Sequence, residues 1–518
     1  MHCRILILLA SLLLLPSGIS LAEDWSRDHA AHLLRRAGFG GTPEQIDFLK
    51  KLGRSKAVEY IVNYHAVNWR PPEIEVVSTS MPPRLLEPDA DPERIEELRV
   101  LQRKTDHRQI AAVVNWWIET MTATPRPLEE KLTLFWHGHF TSGQREVRSS
   151  RAMYEQNQLL RRHASGNFRT LLIDITHDPA MILYLNTQQN RRNSPNENYA
   201  RELLELFTLG PGRYTEQDIK EAARALTGIG VDPQTGRQVF RPRLHDDGVK
   251  RFLGRTGRFG AEEIIDIILV QPRSGEFICA KLWEYFAGQA PPQRVVESLA
   301  ATFRRSRYEL KPVLMEMFNR REFYGEPCRF TRVKSPVELM VGTMRMLEIV
   351  PEDTTAISAV MRQMGQQLMQ PPSVKGWDGG LAWITTSTLY TRYNGVCALI
   401  SGNDDPHTRQ RRKALRKRLE ETFGAEAVFM PDYPLSELQT AYDPLPVLRS
   451  YSLKTPETVI DHYIDRLLQR PIAPDRRQLL IDALIQDWRN EEISEEQLAR
   501  AVRGVVQLIV SMPEYQVD

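Results

Sequence analysis

The stretch from Ser194 to Pro211 carries both a start and a stop signal for one helix. Ser194 can cap the free N–H groups, Pro195 suits the first helical position, and Glu197 closes a capping box three residues after the serine. Gly210 and Pro211 end the run. At about 100° per residue, Tyr199, Ala200, Leu203, Leu204, Leu206 and Phe207 cover one side, while Glu197, Asn198, Arg201, Glu202, Glu205 and Thr208 cover the other. The apolar side has to be buried against other elements, which commits this part of the chain to helix packing. The polar side is either a solvated face with Glu197–Arg201 and Arg201–Glu205 pairs or a face turned toward a cleft.

The same grammar recurs along most of the chain. Residues 29–37 and 43–63 read as two helices, with Thr42 capping the second. A prolyl stretch from Pro71 to Pro92 reads as a linker or strap. Over residues 92–121, Ile110, Val113, Val114, Trp117, Ile118 and Met121 form a core-facing stripe. The next helix carries Leu128, Leu132 and Phe135 inward and runs into Trp136-His137-Gly138-His139, where glycine is expected to end it. Further helices are expected at 149–164, from Thr215 to Gly228, at 261–270, 274–287, 293–304, 311–319 and 335–348, and in three segments between 455 and 511. The convincing β signal is confined to residues 239–253, where two short runs flank His245-Asp246-Asp247-Gly248. These patterns predict an all-α fold, a large multi-helix domain with a small β hairpin. The expected organisation is a signal peptide at 1–22, a main helical domain at 23–400 and a helical C-terminal region at 401–518.

The first 22 residues depart from the globular pattern: a basic start, an apolar run at 5–15 and a small-residue site at Ser20-Leu21-Ala22. This predicts a cleaved leader and a periplasmic or secreted protein. The apolar run is shorter than the ~20 residues that span a bilayer, and no later segment qualifies as transmembrane. With 68 Lys+Arg against 66 Asp+Glu, the net charge of +2 gives no global field for nucleic acid. Cys279, Cys328 and Cys397 remain after leader removal; they form no disulfide framework and no CxxC pair, though one bridge is open to them.

As a set, five groups of residues resemble the bacterial "domain of unknown function 1800" family: His32 to Gly40, Phe135 to Phe140, Asn196 to Gly210, His245-Asp246 with Lys250, and Ser373 to Trp377. The resemblance implies an exported, mostly helical protein. It also implies a co-encoded exported partner with an alkaline-phosphatase-like fold, and it assigns no reaction.

Read by their chemistry, His137 and His139 would face one way if Gly138 keeps the chain extended. With His245 and Asp246 they could then hold a divalent metal such as zinc. Glu197, Arg201 and Glu205 are the candidate catalytic residues, with Glu197 as general base. The favoured reading is that these groups serve backbone and helix packing in a binding or assembly protein that works with the co-encoded partner; the alternative is a metal-dependent hydrolase acting on a cell-envelope or extracellular substrate. No Gly-x-Ser-x-Gly elbow or phosphate loop is present. Trp377 and Trp383 lie in a glycine-rich loop and could stack on a cell-envelope polysaccharide or plug the core. A basic run from Arg409 to Arg418 reads as a solvated face or an anionic-polymer contact.

Overall fold

The computed structural model describes residues 25–77, 91–351, 353–401, 442–488 and 493–518. The fold is all-α, with its β structure confined to short two-stranded hairpins among the described residues. Helix α1, Arg27–Arg36, begins at Ser26, whose hydroxyl accepts from the His29 N–H. Helix α2, Pro43–Leu52, begins at Thr42 with Gln45 closing a capping box. The single helix expected over residues 43–63 is interrupted by Gly53 at φ +76, and α3, Arg54–Val62, starts afresh. Helix α4, Pro92–Ala123, buries Val113, Val114, Trp117, Ile118 and Met121 as the stripe predicts. The described start of the prolyl strap, residues 71–77, lies along it: Trp116 donates to the Pro72 carbonyl at 2.7 Å and Gln109 accepts from the Val77 N–H at 2.7 Å.

Helix α5, Pro127–His139, is the seam of the molecule. It sends Leu128, Leu132, Phe135 and Trp136 into one hydrophobic cluster, with Leu203, Phe207, Ile265 and Leu282. It sends Leu134 into a second, with Trp117, Met344, Val360, Leu399 and Tyr463. Val502, Val505 and Ile509 of the helix Glu495–Val510 belong to the second cluster too.

Burial on all sides would be prohibitive for the charges of α5 if they stood alone, because an unpaired buried ion costs several kcal/mol. They are paired. Glu130 accepts from Arg161 at 2.6 and 2.9 Å and from the Trp117 indole at 2.8 Å. Lys131 donates to Glu338, which also binds Arg332. Arg332 reaches Asp518 at 3.2 Å, and Asp518 binds Arg36 at 3.0 Å. Burial by itself would raise the Glu338 carboxyl, but Arg332 and Lys131 outweigh it and hold the group below its ordinary range.

Three local expectations are corrected. The helix expected from Ser194 starts at Asn198, because Ser194 is bridged to Arg191 and the Asn196 N–H is held by the Asn190 side chain at 2.9 Å. The Asn196 side chain then accepts from the Asn198 N–H at 3.0 Å, doing what the serine and Glu197 were expected to do. The helix soon widens into a π turn, Leu203–Thr208, which buries Thr208 on the side expected to be apolar only. Residues 239–244 and 249–253 do not pair with each other. Ile229–Val231 pairs with Gln238–Phe240, and Lys250–Phe252 pairs with Arg255–Gly257, because each strand turns back on its own nearest turn. A helix at Thr355–Gln363 was not expected.

The leader at 1–22 and the run from Arg409 to Arg418 lie outside the described residues. Among those described, no helix is long and apolar enough to cross a membrane. Cys279, Cys328 and Cys397 form no disulfide with one another.

Candidate functional site

The site grows from the last turn of α5. The glycine does not end the helix, which runs through Gly138 to His139, so the extended geometry expected for the two histidines is replaced by rings about 200° apart around the axis. His137 points toward the second core, 5.4 Å from the Trp117 ring and 5.6 Å from Trp377, and its Nε2 accepts from the Met369 N–H at 3.2 Å. His139 points toward the first core among Phe135, Phe140 and Phe207, and its Nε2 donates to the Phe207 carbonyl at 3.1 Å. The two imidazoles therefore hold opposite tautomers at Nε2. Burial pushes their pKa values down to about 4 for His137 and about 3 for His139, so both stay neutral at ordinary pH.

Each histidine pins one side of a cleft. His137 holds the start of the glycine- and tryptophan-rich loop, which is also fastened by Thr141 Oγ donating to the Val374 carbonyl at 2.7 Å. The Gln144 N–H reaches the Met369 carbonyl at 3.0 Å, and the Arg145 N–H reaches Gln370 at 2.9 Å. The loop comes so close to α5 that a Cβ on Gly376, at φ +79, would sit 2.3 Å from the Gly138 carbonyl oxygen. On the other side His139 holds the π turn, in which the Leu209 N–H reaches back five residues to Leu204 at 3.0 Å and Thr208 Oγ bonds the Leu203 carbonyl at 2.5 Å. Turns of this kind reorient side chains and recur at functional sites.

Between them lies a cleft of about 600 Å³. Glu205 and Leu206 line it from the π turn, Lys281, Glu284 and Tyr285 from the helix Pro272–Ala287, and Lys375, Trp377, Asp378 and Trp383 from the loop. Arg332, Ser335, Glu338 and Gln366 also line it, as do Phe135 and His139 of α5. Trp377 is half-buried and Trp383 is buried, and both line the cleft.

The expected site residues are not brought together as one group. Glu205 is in the cleft, where it accepts from the Tyr214 hydroxyl at 3.2 Å. Arg201 pairs with Glu197 at 3.2 Å as expected, but its second partner is Glu216 at 2.8 Å rather than Glu205. Glu202, between them, has its carboxyl raised by burial and by the Glu205 charge. His245 and Asp246 belong to a separate knot: His245 Nδ1 lies 2.9 Å from the Thr227 carbonyl, and Asp246 binds Arg224 at 2.8 and 3.2 Å and takes the Thr227 hydroxyl on its N–H. Buried Lys250 closes that knot on the Asp246 and Gly248 carbonyls at 2.5 and 3.1 Å. Among the described residues no three His, Cys, Asp or Glu side chains are grouped to hold a metal ion.

Lys281, Glu284 and Tyr285 were missed by sequence reasoning. Their spacing of i, i+3, i+4 on a helix that is otherwise apolar from Phe277 onward was the available signal. Glu338 was hidden inside its own capping box, where it accepts from the Ser335 N–H at 2.8 Å.

Fold and site together define a helical protein built on two hydrophobic cores, with an aromatic, doubly charged cleft at their seam. Residues 32–517 match the family model described as protein of unknown function (DUF1800), and the chain belongs to that family. No curated protein and no solved structure matches the chain.

Proposed function

We propose that the chain is an exported binding protein whose cleft takes saccharide chains of the cell envelope. It works there with the co-encoded exported partner that the family resemblance implies. The observation that carries this reading is Trp377, an indole held at the cleft by the Gly376–Gly138 approach and the His137 pin, with Tyr285 lining the same space. Flat apolar faces with polar edges suit sugar rings, and a cleft of about 600 Å³ lies within the range that encloses a small ligand.

A metal-dependent hydrolase with His137, His139, His245 and Asp246 as ligands and Glu197 as base draws no support from the placement of those groups. The His137 Nε2 lone pair is taken by the Met369 N–H and the Asp246 carboxylate by Arg224, and among the described residues no three His, Cys, Asp or Glu side chains are grouped around His139 or elsewhere to hold a metal ion.

Titration calorimetry of the mature chain with tri-N-acetylchitotriose and with envelope polysaccharide fragments tests the binding half. Trp377→Ala should weaken binding at least about tenfold, or 1.4 kcal/mol, with unchanged circular dichroism. Absence of saccharide binding by the wild type would overturn it. Capture of the co-encoded product from envelope extracts tests the assembly half, which fails if that product is not enriched.

A further inference from the structure

We infer that the ligand of this cleft is a glycopeptide, a sugar chain substituted by a short peptide that carries a free amino group as well as carboxylates; this rests on the saccharide reading given above. The observation is the charge pattern around the aromatic rings. The helix Pro272–Ala287 brings Lys281 and Glu284 to the cleft one turn apart, and the loop brings Lys375 and Asp378 on either side of Trp377. All four are exposed, and among the described residues none of the four side chains makes an ion pair or a hydrogen bond. Lys281 only leans on the Phe277 ring, 5.7 Å from its centroid.

Elsewhere around the cleft, charges are spent within the protein: Glu338 on Lys131 and Arg332, and Arg332 also on Asp518. Those groups place no demand on a ligand. The four free ones do, and they come as one cation and one carboxylate from each of two separate elements. A polyanion bound there would meet Glu205, Glu284 and Asp378, and a polycation would meet Lys281 and Lys375. Such like-charge contacts select against singly charged polymers. A neutral glycan would use the rings and engage the four charges only through hydroxyl hydrogen bonds, with no ion pair. A sugar backbone with a zwitterionic peptide arm uses both: ring faces on Trp377 and Tyr285, carboxylates toward the lysines, and the amino group toward Glu284 or Asp378.

The test uses the mature full-length chain and three soluble probes in low-salt titration calorimetry. They are a disaccharide–tripeptide muropeptide whose peptide ends in a diamino acid, tri-N-acetylchitotriose, and the free tripeptide. The muropeptide should bind at least about tenfold more tightly than chitotriose, the scale of one or two partly exposed charge pairs. That margin should shrink as salt rises. Lys375→Ala, Asp378→Asn and Glu284→Gln, which remove no side-chain ion pair or hydrogen bond among the described residues, should each weaken muropeptide binding severalfold and chitotriose binding less, and an equal loss for both probes overturns the glycopeptide inference. Equal binding of muropeptide and chitotriose overturns the glycopeptide inference and leaves the saccharide reading standing. Binding of the free tripeptide as tight as that of the muropeptide, without chitotriose binding, overturns both, as does absence of binding by all three.

Discussion

Replacing Gly376 with alanine should detach the cleft loop, whereas the same change at Gly138, the residue it touches, should do no harm. At Gly376 the added methyl would lie 2.3 Å from the Gly138 carbonyl oxygen and 3.2 Å from its carbon, and φ is +79. The left-handed backbone costs an L-residue about 1–2 kcal/mol, and forcing a methyl into a filled contact costs about 1–3 kcal/mol more. The two together give about 2–5 kcal/mol. At Gly138 an added Cβ would meet only Trp377 Cε3 at 3.9 Å, an ordinary contact, on a helical backbone. Alanine in a helix interior is up to about 1 kcal/mol better than glycine, so the two substitutions should differ in sign. Denaturant unfolding by circular dichroism gives the stabilities, and hydrogen exchange resolved to residues 369–380 shows whether the loss is local. Wild-type stability and loop protection in Gly376→Ala, or equal damage from Gly138→Ala, would refute the close-approach argument.

Buried Asp178 caps the helix Pro179–Tyr184, and burial pushes its pKa up to about 7. An acid whose folded pKa lies above its unfolded value of about 4 takes up protons on folding, so stability falls as pH rises between those values and stays low above 7. The drop is on the order of 4 kcal/mol at 1.36 kcal/mol per unit. Asp178→Asn keeps the cap and should flatten that slope in unfolding titrations; an unchanged slope places the titration elsewhere. Glu338→Gln leaves Lys131 and Arg332 without their shared carboxylate, and the loss should be about 3–5 kcal/mol, measured by denaturant midpoint. A loss under about 1 kcal/mol would mean that the network carries little stability. Elemental analysis of the purified chain should return no stoichiometric zinc, and His137→Ala should lower loop protection without changing metal content. Zinc that copurifies at one equivalent and is lost in His137→Ala would restore the metal proposal.

The helices of this fold were legible because their signals are local. The stripe of α4, the boxes at Thr42 and Thr215 and the C-terminal helices each depend on a few neighbouring residues. Errors arose where a distant segment decided between two local options. Ser194 and Asn196 are both competent caps, and the choice fell to Asn190, whose side chain is tied to the Ala223 carbonyl at 2.8 Å and to the Asn196 N–H. Gly138 has the propensity of a helix terminator, yet the helix runs past it, and it is the Gly138 carbonyl, met by Gly376, that receives a loop more than two hundred residues later. The π turn left no trace in hydrophobic periodicity, since it displaces the pattern by a single residue. The cleft was half legible. Trp377, Trp383 and Glu205 stood out by type, but the elements that bring Lys281, Glu284 and Tyr285 to them are distant in sequence.

Residue type also overstated chemistry at the histidines, for a reason that can be stated in protons and lone pairs. A neutral imidazole has one N–H and one lone pair, and a metal ligand or general base must keep the lone pair available. His137 gives its Nε2 lone pair to the Met369 N–H; His139 gives its Nε2 proton to the Phe207 carbonyl and keeps its Nδ1 lone pair, but no three candidate ligands among the described residues are grouped for a metal. Each ring also lies among aromatic neighbours that hold it neutral. The roles are opposite, so the residues are not interchangeable. Loss of the His137 ring leaves a buried N–H without an acceptor, and loss of the His139 ring leaves a buried carbonyl without a donor, each costing about 1–3 kcal/mol. A pair two positions apart looks like a chelate only on extended chain. On a helix it fastens two different neighbours to one rod, and here those neighbours are the two sides of the cleft.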